Sequence, residues 1–380
     1  MKPRNKLPRR LVILYQMPES WLNVHSIWEA ASADPAWEVR VVVLPFLHKD
    51  YDWKREKSKD HLDGLGVAHE FWDAFDLRAA AGAVFLFTSP YDSTRPPEYH
   101  FENIRQLAGA TAYVPYGLET GGGEINHLYQ YGQPIAKGAS AIFVRGADAR
   151  EMYARHCPTG AGHVLVTGLP RMDGFAGLDR FPVDPGLRQQ IGDRKAVLWN
   201  AHFSFDADLW STFDLLGEGI FDAFESRPDL ALLFRPHPLL WKQLTNMGIL
   251  DEAGVRAFKR ELEEKGVVVD ERPDHRHAFA ASAAMLSDVG SFLLEYLVTG
   301  KPVLYLENRD GLGVNEVGKS LISFYDKASD MNAVRDFLDR VSSGDDPGRQ
   351  RRISAIDGFF PQLDGKAGQR ALRHLGSLVR

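Results

Sequence analysis

The sequence predicts an α/β fold of two doubly wound, parallel-sheet domains, and three observations carry the prediction. Short β-rich apolar runs recur along the chain. Helical periodicity fills the spaces between them. The pattern halts between Gly174 and Arg194, in FAGLDRFPVDPGLRQQIGDR, where Gly, Pro and charge replace strand character, and then it restarts. A chain of 380 residues also exceeds the usual span of one hydrophobic core.

In the first half, Leu11 to Tyr15 and Val41 to Leu44 read as strands with helical Ser26 to Ala33 between them. Met17 to His25 precedes that helix and sets Trp21 and His25 four residues apart. Ala83 to Phe87 is a further buried strand, ending in Thr88, Ser89, Pro90 and Tyr91, and YDSTRPPEY, Tyr91 to Tyr99, is a rigid proline-bearing loop. Thr111 to Val114 leads into PYGLETGGGEINH, Pro115 to His127, where Gly121 to Gly123 suit a mobile or closely approached loop better than a helix interior. Ala141 to Val144 and Val164 to Val166 complete a first domain over residues 1–178.

The second domain, residues 179–360, repeats the scheme. Ala196 to Trp199 delivers Asn200, Ala201, His202, Phe203 and Ser204. Leu230 to Phe234 delivers Arg235, Pro236, His237 and Pro238, and Val267 to Val269 leads toward Glu271 to His277. Ala283 to Leu306 is one strand, loop, helix, strand unit: after Leu286 come Ser287, Asp288, Val289, Gly290 and Ser291, then Phe292, Leu293, Tyr296 and Leu297 at helical spacing. Gly300 and Pro302 end that helix, and Val303 to Leu306 returns parallel. Asn332 to Arg340 and Gln369 to Val379 are closing helices, with residues 361–380 expected to pack back on the first domain.

Polar loops after parallel strands form the rim where such folds bind ligands. The helix opening near Ser291 offers unpaired N–H groups and a positive dipole end to an anion, and Glu295, one turn in, suits hydroxyls of a sugar. Asp288 would repel a diphosphate and fits better as an acceptor of loop N–H groups. The same residues would also serve simply to cap and bound a helix.

Composition narrows the classes. A net charge of -6 gives no reason to expect nucleic acid. Cys157, the single cysteine, excludes an internal disulfide and a Cys-based zinc cluster, and fits a reducing compartment. No apolar run approaches the roughly 18 residues of a membrane span. The basic start MKPRNKLPRR runs into LVILY, a first strand and not a signal peptide, and its charges read as a solvated tail able to touch an anionic surface. Two D-x-D triplets, Asp50 to Asp52 and Asp206 to Asp208, abut no strand end, and the second reads as the cap of a helix starting near Leu209. His275 and His277, in PDHRH, read as a helix start capped by Asp274 and not as metal ligands. No metal and no cofactor are expected.

Three motifs in order then carry a resemblance. VTGLPRMD, Val166 to Asp173, resembles the G-x-P-R-x-D element of the CDP-glycerol glycerophosphotransferase family, the teichoic acid polymerases and primases. FRPHP, Phe234 to Pro238, is similar to that family's R-x-H-P element, and Ser287 to Glu295 occupies the place of its D-Y-S-S-x-x-x-D/E loop and helix. The similarity covers about the C-terminal 220 residues. It implies a GT-B fold, two Rossmann-like domains facing across a cleft, and a metal-independent transferase moving glycerol phosphate or a related polyol phosphate from a CDP-activated donor to a polysaccharide or lipid-linked acceptor. Such acceptors imply a cytoplasmic protein, with peripheral contact at the inner face of the membrane open to it.

By the same resemblance His237 reaches the donor diphosphate or leaving group, Gly290 and Ser291 cradle phosphates, Glu295 takes ribose hydroxyls, and Arg235 braces the loop or pairs with phosphate. Ser287, Asp288 and His202, on the same rim, join the donor-side candidates. Arg171 and Asp173 read equally as a structural pair at the domain junction.

The chain departs from the family where W-H-G-T-P supplies an acceptor base. Its counterpart here is Pro115-Tyr116-Gly117-Leu118-Glu119, so Tyr116, Gly117 and Glu119 fall on the acceptor side, and His127, His25 and Glu119 stay open as bases. Val289-Gly290 replaces the family's Tyr-Ser, which leaves the donor open to difference from CDP-glycerol. A nucleotide-sugar glycosyltransferase, a non-hydrolysing nucleotide-sugar 2-epimerase and a catalytically silent nucleotide-binding protein are the competing readings.

Overall fold

A computed structural model describes residues 7–48, 53–118, 120–206 and 208–379. The basic start up to Lys6, the Asp50 to Asp52 triplet and Glu119 lie outside the described residues. The chain divides into two compact units. One comprises Met1–Tyr116, His127–Ala176 and Phe359–Arg380; the other comprises Gly117–Asn126 and Gly177–Gly358.

The first unit holds seven strands: β1 Arg9–Tyr15, β2 Trp37–Val43, β3 Glu70–Phe71, β4 Val84–Phe87, β5 Ala110–Tyr113, β6 Ala141–Val144 and β7 Val164–Val166. They line up as β3-β2-β1-β4-β5-β6-β7, with every paired neighbour parallel. β1 sits between β2 and β4, where Ile13 meets Val41 on one side and Leu86 on the other. Leu11 to Tyr15 are all buried because helices cover both faces of such a sheet, so its central strands carry continuous apolar runs and no alternation. The helix Ala367–Leu378 belongs to this unit, and both oxygens of Asp173 accept its first amides, from Ala367 at 2.9 Å and Gly368 at 2.8 Å. A Cβ on Gly368 would lie 2.4 Å from the Ser26 carbonyl carbon, so only glycine lets this helix lie directly against the helix His25–Ser32.

The second unit holds β8 Lys195–Asn200, β9 Leu230–Phe234, β10 Val268–Val269, β11 Ser282–Ser287, β12 Val303–Leu306 and β13 Asp326–Ala328, ordered β10-β9-β8-β11-β12-β13 and parallel throughout. Its core gathers Trp199, Phe234, Leu232, Leu286 and Phe337. Gly300, left-handed at φ 63°, ends the helical turn Tyr296–Thr299. Each sheet reverses its winding once, between β1 and β4 and between β8 and β11. The carboxyl ends of those strand pairs open the crevices that bind ligands in doubly wound folds.

The structure corrects several expectations. β3 and β13 escape the sequence reading because they are short and half-exposed, with Glu70, Asp326 and Lys327 among their few residues. The helix after the second D-x-D triplet starts at Phe213, and Leu209 instead adopts φ 48°. The loop Gly117–Asn126 leaves the first unit's sequence to pack in the second. Gly121 bridges Val314, and Gly122 N donates to Gly313 O at 3.0 Å. A Cβ on Gly121 would fall 2.6 Å from the Trp210 ring, and one on Gly122 would fall 2.8 Å from Leu312 O. The glycine run is therefore the closely approached kind. Among the described residues, no helix is long and apolar enough to cross a membrane.

Candidate functional site

The loops at the carboxyl ends of β8, β9 and β11 are tied together by backbone bonds before any side chain is considered. His237 N donates to Ala201 O at 2.8 Å, Arg235 N to Trp199 O at 2.9 Å, and Asp288 N to Asn200 O at 3.2 Å. The Asn200 side chain adds a bond from Nδ2 to Arg235 O at 2.9 Å. Two histidines are thereby fixed on adjacent loops, with ring centroids 5.3 Å apart.

Both histidines have one tautomer imposed on them. Nδ1 of His202 accepts from Ser204 N at 3.1 Å, and Nδ1 of His237 accepts from Leu239 N at 3.2 Å. The proton of each neutral ring therefore sits on Nε2, directed away from the loop. Phe203 lies 4.5 Å from the His237 ring and Trp210 lies 5.4 Å from that of His202. Some surface of each imidazole stays accessible, but crowding by protein disfavours the charged form. It lowers His237 to about 4 and His202 well below its ordinary value, the latter helped by the neighbouring ring. At neutral pH the site presents two uncharged N–H donors.

Asp288 is buried between the His202 backbone and Thr212, which precedes the helix that begins at Phe213. Its Oδ2 accepts from His202 N at 2.8 Å and its Oδ1 from the Thr212 hydroxyl at 2.6 Å. Burial pushes the carboxyl up to about 7, against the downward pull of those bonds. Thr212 lies 76 residues from Asp288 in sequence, and no local signal announced it.

The other donor-side candidates are committed to the fold. Arg235 Nη1 pairs with the wholly buried Asp270 at 2.7 Å, and Nη2 donates to Arg272 O at 2.6 Å, so its guanidinium braces the loop and does not reach for phosphate. Ser287, fully buried, donates to the Asp288 carbonyl at 2.9 Å. Gly290 is extended at φ 170°, a conformation open to any residue, and its carbonyl accepts from the Thr120 hydroxyl at 2.9 Å. Ser291 Oγ accepts from Leu118 N at 3.0 Å and donates to Leu118 O at 3.2 Å, so the predicted phosphate cradle is covered by the chain's own Gly117, Leu118 and Thr120. Gly117 leaves room for that hydroxyl, since a Cβ would lie 2.8 Å from it. Glu295 is fully buried, with Oε2 2.7 Å from Nε2 of the buried His275, and so does not face sugar hydroxyls. His275 itself stacks on Phe292 at 4.8 Å and opens the helix Arg276–Ala281, while Asp274 accepts from Arg276 N at 2.9 Å.

In the first unit the open base candidates sit in different aromatic clusters. His25 packs 6.0 Å from Trp21 and 6.1 Å from Trp28; His127 lies 4.0 Å from His156. Tyr116 shares a 2.9 Å hydroxyl contact with Tyr91, and its carbonyl accepts from Arg171 Nη1 at 3.0 Å. Arg171 and Asp173 do not pair with each other: the arginine also binds Asn23 Oδ1 at 3.1 Å, and the aspartate caps the helix Ala367–Leu378.

No protein-family model matches the chain, and no curated protein matches it by sequence. Solved structures do match it over nearly its whole length. A UDP-N-acetylglucosamine 2-epimerase superposes with a TM-score of 0.63 at 17% identity, over 98% of this chain and 97% of that one. The UDP-GlcNAc 2-epimerase of Neisseria meningitidis bound to UDP-GlcNAc gives 0.65 at 12% identity, over 97% and 100%. The wall teichoic acid polymerase TagF, in a crystal soaked with CDPG, gives 0.61 at 14% identity, over 98% and 89%. The fold is GT-B. At these identities the likeness is one of fold, and it bears out the expected pair of Rossmann-like domains. Within that GT-B frame, His202 and Asp288 follow the two strands of the second sheet's switch point, and His237 follows β9 beside them.

Proposed function

We propose that the chain is a transferase that takes a glycerol-phosphate or related polyol-phosphate group from a CDP-activated donor and passes it to a hydroxyl of a polysaccharide or lipid-linked acceptor. The observation that carries this reading is the pair of neutral Nε2–H donors, His202 after β8 at the switch point of the second sheet and His237 on the adjacent β9 loop. The order of the G-x-P-R-x-D and R-x-H-P elements and the fold shared with TagF support it.

In the proposed reaction an acceptor oxygen bonds to the phosphorus that carries the polyol, the bond from that phosphorus to the bridging oxygen breaks, and CMP departs with the electron pair. Charge develops on the departing oxygen. A neutral imidazole donor placed beforehand stabilises that charge without transferring its proton and without reorganising at the moment of reaction. The acceptor's proton passes to a base, His25 or His127 being the proposed groups, and then to solvent.

Phosphorus NMR of CDP-glycerol incubated with the full chain tests the reading. Slow CMP release is expected without acceptor, with His237→Ala reducing it by roughly 100- to 1,000-fold, the usual scale for one such donor. A donor signal unchanged over days with the wild-type chain overturns it. The epimerase reading is favoured by the full-length coverage of the two epimerase structures, and it predicts instead that UDP-GlcNAc is converted to a second UDP-sugar with no nucleotide released.

A further inference from the structure

Three tyrosines stand together at the carboxyl rim of the first unit's sheet. Tyr91 follows β4 and Tyr116 follows β5, two strands in register at Phe87 and Tyr113, and Tyr129 lies on the next helix, Glu124–Tyr131. Tyr91 is the centre. Its ring meets that of Tyr116 at 5.7 Å and 61°, and that of Tyr129 at 6.4 Å and 77°. The arrangement is a corner of steeply inclined rings and not a flat apolar face. Tyr116 is 44% exposed and Tyr129 is 55% exposed, and the phenol oxygens of Tyr91 and Tyr116 are 2.9 Å apart.

The loop that carries Tyr91 is braced from beneath. Arg95, only 2% exposed, sends Nε to Tyr91 O at 3.2 Å and Nη2 to Ser89 O at 2.8 Å, with its guanidinium 5.0 Å from the Phe87 ring. Thr94 Oγ1 donates to the same Tyr91 carbonyl at 2.8 Å, and Gln16 Nε2 holds Thr94 O at 2.8 Å. Asp92 Oδ1 lies 3.6 Å from Nε, so an ion pair and two bonds to backbone carbonyls together hold a partly exposed aromatic ring in one place. Rigid tyrosines at a surface offer broad amphipathic contact area at little entropic cost.

We propose that Tyr91, Tyr116 and Tyr129 bind a pyranose ring. The apolar C–H face of such a ring matches an aromatic face, while its hydroxyls can exchange hydrogen bonds with the paired phenols. An acyl chain would leave those phenols without a use, and a flat protein surface would not enter the corner. Calling the bound sugar the acceptor rests on the transferase reading; the binding site itself does not.

Saturation-transfer NMR with the full chain and the methyl glycosides of glucose and N-acetylglucosamine tests the site, with glycerol and a short-chain phospholipid as controls. Saturation of the pyranose C–H protons is expected, weakened roughly tenfold or more by Tyr91→Ala and Tyr129→Ala and weakened less by Tyr91→Phe, which keeps the ring and loses one of the paired phenols. A denaturant unfolding midpoint of Tyr129→Ala equal to wild type shows that this variant is folded. Absence of saturation in the wild type, equal saturation of phospholipid acyl protons, or saturation undiminished in both alanine variants overturns the proposal. Tyrosine-dependent sugar binding with neither CDP-glycerol binding nor CMP release upholds the site and removes the transferase reading.

Discussion

At the scale of single residues, the account turns on three ionisable groups whose surroundings oppose their usual charge. Burial holds His237 at about 4, so this imidazole is neutral across the physiological range. Donor affinity is therefore expected to show no inflection from His237 between pH 5.5 and 8, as roughly the range over which neutrality is complete. Asp288, raised to about 7, behaves in the opposite sense. Its neutral form tolerates a diphosphate and its ionised form repels one, so affinity for CDP-glycerol should fall as pH rises through about 7. Calorimetry at pH 6 and pH 8 checks this, and Asp288→Asn should flatten the dependence. Such pairings were only half legible in the sequence. FRPHP marked His237 as a residue delivered by a strand end, and the loop-holding role of Asp288 follows from its charge. Thr212 and His275 could not be read, because their partners Asp288 and Glu295 lie far along the chain or across a fold-dependent contact.

At the scale of elements, the loops are positioned by committed groups whose loss should be felt in stability before activity. Arg235 and Asp270 form a buried pair, and Asp270 keeps a second partner in Arg272 Nη1 at 2.7 Å, so removing Arg235 takes away one of two cations from that carboxylate. Arg235→Ala is expected to cost about 1–3 kcal/mol, the scale of lost bonds to a charged group, measured by denaturant unfolding of the wild type and variant. Ser291 bonds both backbone groups of Leu118, so Ser291→Ala should cost about 1–3 kcal/mol while leaving affinity for CDP-glycerol within roughly twofold of wild type. A larger affinity loss would return Ser291 to the phosphate-binding role the motif implies. Strands rich in Val, Leu, Ile and Phe were legible because sheets covered on both faces require continuous apolar runs. The excursion of Gly117–Asn126 into the second unit was not, since its contacts are backbone bridges such as Gly121 to Val314 that leave no periodicity.

At the scale of the whole molecule, two parallel sheets in related winding orders set the rims that hold the candidate groups, and that architecture was legible from the restart of the pattern past Gly174. The ionisable groups also tie the chain's stability to pH. His202 and His237 have lowered folded values, so the stability they contribute is present above the unfolded value near 6.5 and is lost as pH falls toward and through their folded values. Asp288 has a raised folded value, so its contribution is present below about 3.8 and is lost as pH rises through about 7. Two histidines outweigh one carboxyl, and the melting temperature should fall between pH 6.5 and 4.5, a window of roughly the histidine titration. The fall should shrink in a His202→Gln, His237→Gln variant.

The central claim is that an activated nucleotide donor is held by the second unit with His237 beside its diphosphate. Titration calorimetry of CDP-glycerol into the full chain, compared with His237→Ala, tests it most directly. Saturable one-to-one binding, weakened by roughly 10-fold or more in the variant, is the predicted result, on the scale of one lost hydrogen bond to a charged group. Binding of equal strength in both proteins, or no heat from either, would contradict it.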